Sequence, residues 1–118
     1  MGLGLLLLAA GRSRRLGQPK QLLPFRGDIL LNHALRLCLA VPTVTTRLVL
    51  GANTPAIRPK LAGGNYQLVV NEDWELGLGK SIAAGMAAND TSNWKGVIIC
   101  LGDQPFLTSA ILKTLYQQ

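Results

Sequence analysis

The chain has few of the residues that cross-link small proteins or bind metal through sulfur and imidazole. It contains two cysteines, Cys38 and Cys100, and one histidine, His33, and it has no C-x-x-C pair. These counts argue against a disulfide framework and against a zinc site of the Cys/His type. Both cysteines lie within apolar stretches, so we predict buried thiols and a protein of the reducing cytoplasm. We expect His33 on the surface of a helix.

The sequence also lacks a long hydrophobic run. The N-terminal apolar stretch, residues 2 to 10, is far shorter than the roughly 18 residues that a membrane-spanning helix needs. No lysine or arginine precedes this stretch and several follow it, which is the reverse of the order in a signal peptide. We therefore predict no membrane segment and interpret the stretch as a buried strand.

Acidic residues are scarce too. Six Asp and Glu stand against twelve Lys and Arg, which gives a net charge of +6. This charge suits an anionic ligand such as a nucleotide, and it is also compatible with nucleic acid or with an acidic portion absent from the chain. Aromatic residues make up only 5% and show no RNA-binding pattern, and the cations cluster in one loop instead of along a helix face. We therefore predict no binding of nucleic acid.

Four apolar runs with the composition of buried strands alternate with helix-like patterns. The strands are predicted at residues 3 to 8, 47 to 50, 67 to 70 and 96 to 101, and the helices at residues 29 to 40, 54 to 61, 79 to 88 and from 108 onward. Asp28 and Thr54 are the expected N-caps of the first two helices, with Pro55 in the first helical position. Right-handed crossovers then predict a mainly parallel sheet in the order 3-2-1-4, as in one half of a Rossmann-like α/β fold.

A loop with glycines and four cations follows the first strand. Its residues run Leu8-Ala9-Ala10-Gly11-Arg12-Ser13-Arg14-Arg15-Leu16-Gly17-Gln18-Pro19-Lys20. The small residues at its start let backbone N–H groups approach an anion closely, and the arginines and lysine supply charge and directed donors, so we predict that it holds a polyphosphate. It is neither a Walker loop nor G-x-G-x-x-G, because Lys20 is not followed by Ser or Thr and the glycine spacing differs.

Three segments, in order along the chain, match the motifs of one family. They are L-A-A-G-x-S-x-R-x-G-x-x-K at residues 8 to 20, N-x-x-W-x-x-G-x-x-x-S at residues 71 to 81, and G-D-Q-P at residues 102 to 105. On these motifs the chain resembles the MobA-like nucleotidyltransferases and, within them, the molybdenum-cofactor cytidylyltransferases. The resemblance implies a single nucleotidyltransferase-like domain over residues 1 to 118, a Rossmann-like three-layer sandwich from which the C-terminal portion of the usual domain is missing.

The same resemblance implies a magnesium-dependent enzyme that transfers CMP from CTP to a molybdopterin-type molybdenum cofactor and releases pyrophosphate. Its implied catalytic residues are Arg15, which holds the pyrophosphate, Lys20, which reaches the α-phosphate, and Asp103, which binds Mg²⁺. A molybdoenzyme that receives the cofactor is an implied partner. The residues implied to bind the nucleotide and its acceptor are Leu8, Ala9, Ala10, Gly11, Ser13, Lys20, Asn71, Gly77 and Ser81.

Elementary chemistry supports part of these assignments. Arg15 can form a two-pronged contact with phosphate oxygens, which a lysine cannot. A carboxylate such as Asp103 at the carboxyl end of a strand suits Mg²⁺, but it can also cap a turn. Arg12 and Arg14 occupy variable positions of the motif, and we interpret them as surface residues. Trp74 is either a surface anchor or a stacking partner for an aromatic ring.

Other functions remain open from the sequence alone. Sugar-phosphate and methylerythritol-phosphate nucleotidyltransferases share an A-A-G loop with Arg and Lys, so the acceptor can differ, whereas A-A-G in place of A-G-G favours CTP over GTP. A chain without the later strands can also be a nucleotide-binding fragment that does not catalyse. In that case the strand at residues 96 to 101 exposes a hydrophobic edge, through which we predict self-association.

Overall fold

The fold is described by a computed structural model of the chain. It describes residues 2–10, 14–15, 18–43, 45–92 and 94–102, with backbone only for residues 14–15 and 18–20. Several sequence predictions therefore lie outside the described residues. They concern Gly11, Arg12, Ser13, Asp103, the helix expected from residue 108, and the side-chain roles of Arg14, Arg15 and Lys20.

A four-stranded parallel sheet forms the centre of the molecule. Its strands are β1 (Leu3–Ala9), β2 (Thr45–Leu50), β3 (Gln67–Val70) and β4 (Gly96–Leu101), in the order β3-β2-β1-β4. All three pairings are parallel, with Leu6 beside Arg47 on one side and Ile99 on the other. The predicted order 3-2-1-4 is confirmed. The continuous hydrophobic run places β1 inside the sheet because a strand covered on both faces has no polar side to present.

Helices cover both faces of this sheet, which gives the predicted three layers. Helix α1 (Leu30–Leu39) packs on the face that carries Leu5 and Leu7, and α3 (Leu78–Ala87) packs on the face of Leu6 and Leu8. A short helix, α2 (Thr54–Ile57), continues into a 3-10 turn at Arg58–Lys60. Further 3-10 turns lie at Lys20–Leu22 and Trp74–Leu76, and two-residue hairpin strands pair Arg14–Arg15 with Gln18–Pro19 and Pro24–Phe25 with Asp28–Ile29.

The two cysteines are buried, as predicted, on the α1 face of the sheet. A hydrogen bond with the Cys100 thiol, together with burial, raises the pKa of the Cys38 thiol. His33 is less exposed than expected, because its ring packs on Phe25 with 4.6 Å between the ring centroids. In the part of the chain that the structure describes, no helix has both the length and the apolarity to cross a bilayer.

Helix boundaries are where the sequence predictions fail. Helix α1 begins one residue late, and Ile29, not Asp28, occupies its N-cap. The second helix stops at Ile57 because Pro59 has no N–H with which to continue the α-helical pattern, and the chain tightens into the 3-10 turn. Its N-cap is Asn53 in the left-handed conformation (φ +64°), so Thr54 is already the first helical residue and its hydroxyl donates to the Gly51 carbonyl.

Asp28 instead ties the hairpin to the first turns of α1. Its carboxylate accepts hydrogen bonds from the Asn32 side chain and from the Ile29 N–H, and it forms an ion pair with Arg36. The hydrogen bonds from Asn32 and Arg36, then that from Ile29, lower the pKa of Asp28 from 3.8 to about 2. Asn32 also bonds to the Lys60 carbonyl and the Ala62 N–H, so the same cluster holds the chain after α2 against α1.

We expect the Asp28 carboxylate to make the fold sensitive to acid. Because its pKa is lower in the folded chain than in the unfolded one, its contribution is present above about pH 4 and is lost as the pH falls towards about 2. The Asp28→Asn variant should therefore show a weaker decline of unfolding free energy across that window in urea titrations. Glu75→Gln, at an exposed carboxylate, is the matched control. An identical decline in Asp28→Asn and in the unchanged chain would contradict this role.

Candidate functional site

The carboxyl ends of the four parallel strands meet at one edge of the sheet. Ala10 follows β1, Gly51 follows β2, Asn71 follows β3 and Gly102 follows β4. Backbone hydrogen bonds lock these ends together, from Ala52 N–H to the Ala10 carbonyl (2.8 Å), from Asn71 N–H to the Leu50 carbonyl (2.7 Å), and from Gly102 N–H to the Leu8 carbonyl (2.9 Å). This is the edge at which open α/β sheets bind their ligands.

Leu8, Ala9 and Ala10 are all buried, and each of their carbonyls accepts a hydrogen bond from another segment. Their side chains pack into the two cores, so any contact with a ligand is made through the backbone. The start of the cationic loop is thus held from three directions. This rigid origin is what a loop needs if its N–H groups are to meet an anion without reorganising.

After the undescribed residues 11–13, the backbone forms the small hairpin in which Arg15 lies opposite Gln18. Lys20 then opens a 3-10 turn. The next residue, Gln21, is 3% exposed, and its side-chain amide donates to the Ala9 carbonyl at 3.4 Å. The turn that carries Lys20 is therefore anchored beneath the end of β1. Gln21 was not among the predicted site residues, because its one signal in the sequence is that it is a polar residue next to the motif lysine.

Asn71 and Ser81, two predicted site residues, are brought together. The Asn71 side-chain amide donates to the Ser81 hydroxyl oxygen at 2.9 Å, and its side-chain carbonyl accepts from the Asp73 N–H at 2.9 Å. Both residues are buried. Together they tie the end of β3 to the first turns of α3 and close the connection between the two elements, residues 71 to 77. Gly77, at the N-cap of α3, has φ +104°, a conformation that L side chains rarely adopt, and open space around it.

Trp74 lies half-buried in this connection and packs against the cluster of Leu6, Leu8, Ala10 and Val49. Of the two interpretations of Trp74, its packing supports the surface anchor. The Trp74 side chain lies very close to Gly51. A Cβ added to Gly51 would lie 2.7 Å from the Trp74 Cβ and 2.9 Å from the Ala10 carbonyl oxygen. Gly51 is thus a second residue that the sequence analysis missed, since only the packed structure shows why no side chain fits.

We expect Gly51→Ala to disturb the origin of the cationic loop. The new methyl group must displace the Ala10 carbonyl oxygen or the Trp74 Cβ. Neither atom is the end of a flexible side chain, so the free energy of unfolding should fall by about 1–3 kcal/mol. Gly63→Ala is the control, because a Cβ there meets nothing within 4 Å. Urea denaturation of both variants measures the effect. Equal stability of the two variants would show that the close approach at Gly51 relaxes without cost.

No group of three or more metal-ligating side chains occurs within the described ranges. The predicted metal ligand, Asp103, lies outside them, but the residue before it is placed firmly by the Gly102 to Leu8 hydrogen bond. A Cβ on Gly102 would also lie 3.1 Å from that of Ala9. A carboxylate such as that of Asp103 suits Mg²⁺, which takes one or two carboxylates and completes its coordination with other oxygen ligands and water.

A parallel sheet with helices on both faces, whose first strand ends in small buried residues at the carboxyl edge, is typical of the nucleotide-binding α/β domains of the Rossmann-like class. The family model described as the MobA-like NTP transferase domain matches residues 5–118. The chain belongs to this family, which confirms the resemblance of its motifs to the MobA-like nucleotidyltransferases.

Individual relatives agree with this assignment. Nicotine blue oxidoreductase of Paenarthrobacter nicotinovorans is 43% identical over 103 residues, which cover 86% of this chain and 50% of that protein. Bifunctional protein GlmU of Stutzerimonas stutzeri is 29% identical over 100% of this chain and 26% of its own length. The crystal structure of Rv0371c from Mycobacterium tuberculosis superposes with a TM-score of 0.84 at 32% identity, covering 98% of this chain and 59% of that one, and a complex of Rv0371c with manganese is also known. The chain thus spans half of nicotine blue oxidoreductase, 59% of Rv0371c and about a quarter of GlmU.

Proposed function

We propose that the protein containing this chain is a divalent-metal-dependent nucleotidyltransferase of the cytoplasm that transfers CMP from CTP to a molybdopterin-type cofactor and releases pyrophosphate. The observation that carries the proposal is the hydrogen bond between Gly102 and Leu8. It fixes the end of β4 against the end of β1, so the cationic loop and the acidic G-D-Q-P segment leave the sheet from adjacent positions. Nucleotidyl transfer needs these two charges around one triphosphate.

In this proposal the chain works through positioning and electrostatics. The backbone from Leu8 to Gly11 and the side chain of Ser13 hold the nucleotide, Arg15 grips the oxygens that leave as pyrophosphate, and Lys20 stabilises charge at the α-phosphate. The locked pair of Asn71 and Ser81, with Gly77, shapes the wall at which the acceptor approaches. These proposed roles follow the family motifs that the chain matches.

Asp103 is the proposed ligand of the metal. When bound, the ion neutralises the triphosphate and withdraws charge from the phosphorus that is attacked. The manganese complex of Rv0371c supports a divalent ion in a relative that covers nearly all of this chain. We propose Mg²⁺ because a hard cation with few protein ligands suits a site with a single carboxylate and a polyphosphate.

The choice of nucleotide and acceptor is tested by two linked measurements. Calorimetric titration with CTP, GTP and ATP, each with and without Mg²⁺, should show CTP binding that the metal strengthens. A pyrophosphate-release assay with molybdenum cofactor, with sugar phosphates and with methylerythritol phosphate should show turnover with the first alone. Turnover with a sugar phosphate would support the alternative acceptor, and binding without any turnover would support the fragment that does not catalyse.

A second candidate is an oxidoreductase, favoured by the 43% identity to nicotine blue oxidoreductase. It would require a redox cofactor, and the loop after β1 lacks the G-x-G-x-x-G spacing of dinucleotide-binding folds. Titration with NADH and NADPH discriminates the two functions. Nicotinamide binding tighter than CTP binding would favour the oxidoreductase.

Self-association is proposed through β4. Among the described residues this strand pairs with β1 alone, and Val97, Ile99 and Leu101 on one of its faces are 36–37% exposed. An unpaired strand edge beside exposed apolar side chains favours pairing with another chain. That chain is a second copy of this one or a molybdoenzyme partner. Light scattering should show a mass that rises with concentration. A constant monomer mass at high concentration would contradict the proposal.

A further inference from the structure

A buried arginine lies in the middle of the sheet, far along β2 from the nucleotide-binding edge. Arg47 is 1% exposed, and its side chain lies against α3. Its Nε donates to the Gln67 side-chain oxygen at 2.8 Å, Nη1 donates to the Gly85 carbonyl at 2.7 Å and to the Met86 carbonyl at 3.4 Å, and Nη2 donates to the Asp90 carbonyl at 3.2 Å. Three of these four hydrogen bonds go to backbone carbonyls at the C-terminal end of α3 and just after it.

Burial of this guanidinium is costly in free energy, because a buried cation loses its hydration. Among the described residues no carboxylate lies within ion-pair distance of Arg47. The charge is instead met by carbonyls at the negative end of the helix dipole and by the Trp94 ring, whose centroid lies 4.5 Å from the guanidinium carbon. Burial lowers the pKa of Arg47, and the charge of Asp90 opposes that shift.

Helix α3 is therefore fastened at both ends. Ser81 near its N-terminus is bonded to Asn71 at the carboxyl edge of the sheet, and Arg47 holds the carbonyl of Gly85 one turn further along. Gly85 itself lies against the sheet, where a Cβ would be 3.0 Å from Leu6 and 3.1 Å from Val49. Because an α-helix rises 1.5 Å per residue as a stiff rod, Ser81 and Gly85 are only about 6 Å apart along the axis. A shift at the Arg47 end moves the Ser81 end.

We propose that Arg47 is a positioning residue that sets the place of α3 along the sheet and, through it, the geometry of the Asn71 and Ser81 pair at the nucleotide-binding edge. The inference rests on the proposed function and extends it to a residue outside the family motifs. The geometry of the guanidinium is required as well as its charge, since one ammonium group cannot reach the Gln67 oxygen and three separate carbonyls together.

The test compares Arg47→Lys and Arg47→Ala with Leu35→Ala, a core variant on the α1 face that is destabilised without touching α3. Amide hydrogen exchange of the ligand-free chain is read at Asn71, Asp73 and Lys80. Their N–H groups donate to the Leu50 carbonyl, the Asn71 side-chain oxygen and the Gly77 carbonyl, in that order. Both Arg47 variants should exchange faster at these sites than their global stability explains, whereas Leu35→Ala should not. Millimolar guanidinium should restore protection in Arg47→Ala.

The same variants are then titrated with CTP and Mg²⁺. A displaced binding wall should weaken nucleotide affinity or turnover by about 10- to 100-fold in Arg47→Lys, and guanidinium should rescue Arg47→Ala. Unchanged exchange in Arg47→Lys, or the same exchange pattern in Leu35→Ala, would overturn the positioning role. Failure of the unchanged chain to bind CTP would refute the proposed function alone, because the exchange measurement needs no nucleotide.

Discussion

Replacement of Asp103 by alanine should cut nucleotidyl transfer by at least about 10²- to 10³-fold while metal-free CTP binding changes by less than about threefold. In the proposed site, the carboxylate acts on the nucleotide only through the cation, whose charge stabilisation is largest in the transition state. Initial-rate assays of pyrophosphate release across a Mg²⁺ titration, paired with calorimetry, measure both quantities.

Asp103→Asn is the matched variant, since it keeps the size of the side chain and removes its charge. It should resemble Asp103→Ala in turnover and require more Mg²⁺ for half-maximal rate. Unchanged Mg²⁺-dependent turnover in either variant would assign Asp103 to the alternative role of capping the turn after β4.

Removal of the Arg15 or Lys20 side chain should weaken binding of the nucleotide. A hydrogen bond to a charged group contributes about 1.5–3 kcal/mol, so Arg15→Ala and Lys20→Ala should each raise the Kd for CTP by about 10- to 100-fold. Arg15→Lys should recover only part of that loss, because an ammonium group cannot grip two phosphate oxygens at once. Calorimetry at fixed ionic strength is the measurement.

The chain supplies its own controls for this experiment. Arg12→Ala and Arg14→Ala remove the same charge from the same loop at variable positions of the motif. If the loop acts through particular contacts, they should change the Kd by less than about threefold. Equal losses at all four positions would mean that the loop attracts the nucleotide only by its general positive field.

The sheet could be predicted because its physics is local and periodic. The uninterrupted leucines of β1 require helices on both faces of the sheet. The glycines and prolines between the apolar runs mark the crossovers, and the right-handed rule for these crossovers then predicts the strand order. The ends of the helices were harder to predict from the sequence. The carboxylate of Asp28 looked like an N-cap, but its partners Asn32 and Arg36 lie one and two turns into α1 and hold it outside the helix.

The sequence motifs name candidate site residues, but the hydrogen bonds and contacts among them could not be predicted. The motif named Asn71 and Ser81, whereas their hydrogen bond depends on how α3 crosses the sheet. Gly51 looked like an ordinary end of a strand, since the crowding by Trp74 arises from a segment more than twenty residues away. Arg47 looked like the polar start of a strand. Nothing near it in the sequence indicates that the Gly85 and Met86 carbonyls will accept hydrogen bonds from its guanidinium.

The account depends on one proposition, that the loop after β1 and the segment after β4 share a single metal-bound nucleotide. Paramagnetic broadening of the amide signals by Mn²⁺ and CTP tests it directly. The account predicts that Ala9, Ala10 and Gly102 broaden together, and that Thr45 and Gln67, at the opposite ends of their strands, stay sharp. Broadening that spares Gly102, or that appears at Thr45 and Gln67 instead, would contradict it.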